Sequence, residues 1–88
     1  MKKIKVKIPT VNDAVLFVAK CNEYKKYDCD YVCGRYIIDS KSLMGVLSVG
    51  LDRECEVIFH CDDNGLCEKF ENDIKLWEKT CNNKGENE

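Results

Sequence analysis

The chain holds one histidine, His60, the side chain best suited to moving a proton or carrying a phosphoryl group near neutral pH. A phosphoryl relay needs such a residue beside a helix N-terminus or a basic group. His60 stands instead at the end of the alternating run Cys55 to Cys61, next to Asp62 and Asp63, and reads as a surface histidine. No Ser-His-Asp order, metal-ligand box or Gly-rich phosphate loop occurs elsewhere. Seven cysteines are the other reactive set: Cys21, Cys29, Cys33, Cys55, Cys61, Cys67 and Cys81. Their odd number, the lack of a CxxC pair and the lack of a secretion signal argue against a disulfide framework and a standard zinc site. Most fall at apolar-periodic positions, where a free thiol acts as a small core hydrophobe. Cys29 and Cys33 share a strand face but lie about 13 Å apart along it, too far for a bridge. The cysteines are therefore expected to be reduced, with redox sensing or metal binding as the alternative use.

Composition narrows the class. With 88 residues the chain suits one small domain, expected over residues 1–82, with a polar, frayed tail over 83–88. Hydrophobic residues make up 44% and charged residues 34%, and the net charge of -2 lacks the basic excess of a general nucleic-acid binder. The lysines at 2, 3, 5 and 7 alternate with Ile4, Val6 and Ile8 and read as the wet face of a strand. The longest apolar run, Ala14 to Ala19, is far short of a membrane span, and no signal-peptide core follows the Lys-rich opening. These features predict a cytoplasmic monomer with no membrane and no nucleic-acid partner.

The elements that must position any site follow from periodicity. Lys2 to Ile8 predicts a strand, stopped by Pro9 and Thr10. Asn12 or Asp13 is expected to cap a helix running to about Lys25. Its stripe Val15, Val18, Ala19 and Asn22 should face the sheet, leaving Leu16, Phe17 and Lys20 beside it and Leu16 and Phe17 pointing outward. Asp28 to Cys33 and Tyr36 to Asp39 predict a hairpin closed by Gly34-Arg35. Ser40 to Ser48 predicts a short helix with Ser42 as N-cap and Gly50 as its stop. Cys55 to Cys61 predicts a strand, Asp62-Asp63-Asn64-Gly65 a turn, and Leu66, Phe70, Ile74, Trp77 and Cys81 a last helix. The order β-α-β-β-α-β-α predicts an α+β domain, a sheet covered on one face by three helices.

The segment Lys41-Ser42-Leu43-Met44-Gly45-Val46-Leu47-Ser48-Val49-Gly50 resembles the regulatory-serine signature of the HPr (histidine-containing phosphocarrier) family. Ungapped counting from Ser42 puts the family's first helix on Val11 to Lys25 and its last strand on Glu56 to Cys61, so the likeness spans nearly the whole chain. It implies an HPr-like open-faced β-sandwich with strand order 1-4-2-3. The departure lies at the head of the first helix. Family phosphocarriers carry a His-Ala-Arg-Pro-like stretch there, and this chain reads Val11-Asn12-Asp13-Ala14. Valine offers no nucleophile, and Asp13 places negative charge where the family has positive charge. In this the chain is similar to the catabolite-repression HPr homologues, which lack the histidine, keep the serine and act as regulators.

The resemblance thus implies a non-catalytic regulatory protein, not an enzyme, with no cofactor and no metal. Its partner would be a protein: a transcription regulator, a kinase or a component of the sugar phosphotransferase system. Leu16, Phe17, Lys20, Leu43 and Leu47 are the expected partner-binding residues, and Ser42 the expected phosphorylation site. As a plain N-cap Ser42 contributes ~1 kcal/mol, and phosphorylated it gains about two negative charges beside a helix N-terminus. The competing readings are a phosphocarrier using an unrecognised residue and a cysteine-based redox or metal-responsive protein.

Overall fold

The computed structural model describes residues 1–79. Within them the alternation of lysines with aliphatic residues makes strand β1, Lys2–Lys7, with Ile4 and Val6 buried. Helix α1 spans Val11–Asn22, β2 Asp28–Cys33, β3 Tyr36–Asp39, α2 Leu43–Val49, β4 Glu54–His60 and α3 Asn64–Asp73. A single 3-10 turn, Lys75–Trp77, continues α3. The strands form one antiparallel sheet in the order β1-β4-β2-β3, an α+β open-faced sandwich with the helices on one face.

Register follows from burial. Ile4 opposes Val57 and Tyr31 opposes Val57 from the other side, so the inward residues of three strands meet in one layer. A slip of one residue would turn that whole set to solvent. Two aromatic groups fill the space between sheet and helices. Phe59 and Phe70 stack with centroids 4.3 Å apart, and Tyr24 stands edge-on to both, at 5.4 and 5.1 Å. Phe17 packs against Tyr31 at 5.7 Å and edge-on against Trp77 at 5.6 Å. Such geometries add stabilisation beyond the area they bury.

Two glycines matter to the architecture. Gly34, at φ 60°, makes the tight hairpin turn with Arg35. Gly45 lets α2 lie close on β3, because a Cβ there would sit 3.1 Å from Ile38 Cδ1.

Several expected boundaries move. The cap of α1 is Thr10, not Asn12 or Asp13, and the helix stops at Asn22, after which the chain turns toward β2. The inward stripe of α1 is Ala14, Phe17, Val18 and Cys21, one position round from the expected one; Val15 and Ala19 face out. Phe17 is large and apolar, and this rotation is what places its ring in the core. The last helix breaks at Ile74, and Glu78 then bridges back to Val6 on the outer edge of β1. Cys81, residues 80–82 of the expected domain and the 83–88 tail lie outside the described residues.

Candidate functional site

Two helix starts carry the chemistry singled out in the sequence. At the head of α1, Thr10 Oγ1 accepts from the Asp13 backbone N–H at 3.1 Å and donates to Asp13 Oδ2 at 2.6 Å. The Trp77 indole N–H donates to Asp13 Oδ1 at 3.0 Å. These bonds, that from Thr10 first, hold the Asp13 carboxyl below its ordinary pKa. The positive end of the helix dipole therefore already faces a carboxylate of its own chain. Val11 is the first helical residue, and its aliphatic side chain is exposed.

At the head of α2, Ser42 is the N-cap, its Oγ accepting from the Gly45 N–H at 3.2 Å. The hydroxyl is partly accessible, and α2 has no acidic residue in its first turn. Asn22 ties the two helices together by donating to Val18 O at 2.9 Å and to Lys41 O at 3.1 Å.

Of the expected partner-binding residues, Leu16 is exposed at 48%, and Lys20 pairs loosely with Glu23 at 3.8 Å. Leu43 and Leu47 are half-buried, each packed by one side against the core. Phe17 is a correction: it is fully buried between Tyr31 and Trp77 and presents nothing to a partner. Met44 was missed. It is 80% exposed, the most open of the large apolar side chains of these helices, more so than Val11 and Val15. Its signal was available, since Val46 and Val49 set the inner face of α2 and leave position 44 outside.

His60 lies at the end of β4 remote from the start of α1. Lys7, which leads into α1, opposes Glu54 at the other end of that strand, about 20 Å away along it. His60 Nε2 is 2.9 Å from Asp30 Oδ2 on the open face of the sheet.

The six described cysteines are all buried. Cys29 and burial hold the Cys21 thiol well above its usual range, and burial followed by Cys33 pushes Cys55 up to about 11. Protonated and sealed, Cys21 and Cys55 make poor nucleophiles, while the neighbouring Cys21 thiol holds Cys29 lower. Among the described residues no group of three His, Cys, Asp or Glu side chains is placed to hold a metal ion, and no helix is long and apolar enough to cross a membrane.

Three solved structures share this fold. HPr-C-His from Thermoanaerobacter tengcongensis superposes with a TM-score of 0.67 at 21% identity, over 84% of this chain and 90% of that one. The phosphocarrier protein HPr from Bacillus anthracis does so at 0.66 and 18%, over 89% and 96%. A mycoplasma histidine-containing phosphocarrier protein does so at 0.62 and 15%, over 85% and 89%. The fold is that of HPr. No protein-family model and no curated sequence matches the chain. Within this HPr-like fold, the two helix starts and the exposed apolar side chains between them stand out as the candidate site.

Proposed function

We propose that this HPr-like chain is a non-catalytic regulatory protein of the sugar phosphotransferase type, binding a partner protein through the outer faces of α1 and α2. One observation carries the reading: the N-terminus of α1 is closed by the Asp13 carboxylate, held by Thr10 and Trp77, and its first residue is Val11. In this reading Val11 stands in the place of the phosphocarrier histidine and Asp13 in the place of the phosphate-holding arginine. A phosphoryl group arriving there would find no nucleophile and would meet like charge.

The partner is a transcription regulator, a kinase or a phosphotransferase component in the cytoplasm. Leu16 and Lys20 on α1, with Leu43, Leu47 and the newly identified Met44 on α2, form the binding face. An apolar centre with a charged rim is a common build for such interfaces. Ser42 is its regulatory residue, because a phosphate on that hydroxyl would sit at the start of a helix whose first turn holds no acidic side chain.

The test is incubation with phosphoenolpyruvate and enzyme I, then with ATP and an HPr kinase. The expected outcome is no acid-labile phosphate in the first reaction, and acid-stable phosphate on Ser42 but not on Ser42→Ala in the second. Acid-labile phosphate on His60 would overturn the non-catalytic reading.

A further inference from the structure

The two edges of the sheet are treated differently. The outer edge of β1 is guarded by its lysines and by the returning chain, with Glu78 bridged to Val6 and the Lys79 N–H bonded to Lys5 O at 2.7 Å. Charges and a covering segment are the usual devices for keeping an edge from pairing with another chain. Among the described residues the outer edge of β3 has no covering segment, and Asp39 is the one charged residue on it. Its strand, Tyr36–Asp39, leaves Tyr36 at 56% and Ile37 at 69% exposure, with no lysine and no proline.

The backbone of β3 is aligned for pairing. The Ser40 N–H bonds inward to Cys29 O at 2.9 Å, next to the pairs Ile38–Tyr31 and Tyr36–Cys33. The alternation of an antiparallel ladder then turns the N–H and C=O groups of Ile37 and the N–H of Asp39 outward, while the Asp39 C=O accepts from the Ser42 N–H at 2.9 Å. Ile37 and Asp39 oppose Val32 and Asp30, so both also belong to the open face of the sheet.

We propose that β3 pairs antiparallel with β3 of a second copy of this chain, about a two-fold axis through Ile37, giving one continuous eight-stranded sheet. The sequence is self-complementary about that residue. Ile37 meets Ile37 of the other copy and Tyr36 meets Ile38, while Arg35, the turn residue just before the strand, comes beside the Asp39 carboxylate of the other copy, one oxygen of which accepts from the Lys41 N–H of its own chain. Opposite charges facing each other across the seam favour such a pairing. Arg35 has no acidic partner among the described residues of its own chain. A register moved by one residue about the axis sets Ile37 against Asp39 and loses the ion pairs. An isologous contact of this kind closes on itself and does not grow into fibres. A four-residue strand buries too little area for a permanent complex, so the dimer belongs to the weak, reversible class.

Sedimentation equilibrium of the full chain, from micromolar to about 1 mM, the range of such weak contacts, tests this. The expected result is a monomer–dimer equilibrium that dissociates on dilution. Ile37→Lys should raise its Kd at least about tenfold with an unchanged melting midpoint, because the side chain it replaces is already in water. Arg35→Glu should weaken the dimer by setting acid against acid, and adding Asp39→Lys should restore it; if that double variant fails to fold, Ile37→Lys alone decides. A chain monomeric throughout the range overturns the proposal. So does a dimer that Ile37→Lys leaves intact, or a folded double variant that does not recover association.

Discussion

The starts of α1 and α2 use the same cap and differ in what stands three residues on. Both are closed by a hydroxyl accepting the N–H at that position, Thr10 from Asp13 and Ser42 from Gly45. In α1 the third residue brings a carboxylate, which Thr10 and Trp77 hold in place. In α2 it brings no side chain, because the helix is pressed against Ile38. One helix carries its own anion in its first turn and the other carries none there. Two helix starts closed by the same kind of hydroxyl bond can thus leave opposite prospects for an incoming phosphate, and the difference lies in one side chain and not in the helix dipole.

The comparison rests first on α1 being seated by Phe17, so its loss should have the largest effect. Phe17→Ala should cost about 3–5 kcal/mol in chemical denaturation, the range for emptying a packed aromatic site, while Leu16→Ala should stay within about 0.5 kcal/mol as an exposed change. Equal small losses at both positions would put Phe17 back on the surface. Next come the caps. Thr10→Ala should cost about 1–2 kcal/mol and Ser42→Ala about 0.5–1 kcal/mol, because only Thr10 also donates to a carboxylate. The reverse order would mean that Asp13 does not contribute to the closure. Ser42→Asp should then change stability by less than about 0.5 kcal/mol, since aspartate caps as well as serine. A marked loss there would show that α2 does not accept negative charge.

The smallest effect is expected in acid. Asp13 and Asp73 both titrate below their ordinary range in the folded chain, Asp13 through Thr10 first and Asp73 through Tyr24 first. Their contributions are in place above the unfolded carboxylate pKa of about 4 and are lost as pH falls through the lower folded values. Asp13→Asn should flatten the acid limb of a melting-midpoint curve below about pH 4, and Ser42→Ala should leave its shape unchanged. A limb that Asp13→Asn does not alter would detach Asp13 from the cap.

The strands β1 and β4 were legible because polar and apolar residues alternate along them, and β2 and β3 because a two-residue turn separates them. Asp28–Cys33 and Tyr36–Asp39 stand where the pattern puts them, and Gly34-Arg35 is the only turn that fits between. Ser42 and Gly50 were legible as the ends of α2 because cap chemistry is local. The face of α1 was not. Val15, Val18 and Ala19 make as good an aliphatic stripe as Ala14, Phe17, Val18 and Cys21, and only the slot between Tyr31 and Trp77 chooses between them. The Asp13–Trp77 bond was hidden for a related reason: it joins residues 64 positions apart, and no local pattern announces it. Glu78 on β1 is a pairing of the same long-range kind.

The strand order has a consequence for how the chain is made. Only β2 and β3 are neighbours both in sequence and in the sheet; β1 pairs with β4, and its other edge meets Glu78. During synthesis β1 leaves the ribosome early and must wait until most of the domain has followed before either side can be covered. Non-local pairings of this kind form late. Every second residue from Lys3 to Lys7 is a lysine. The cations that line the open face of the finished sheet thus also keep the waiting segment hydrated and self-repelling, at the stage when an unpaired strand is most prone to aggregate.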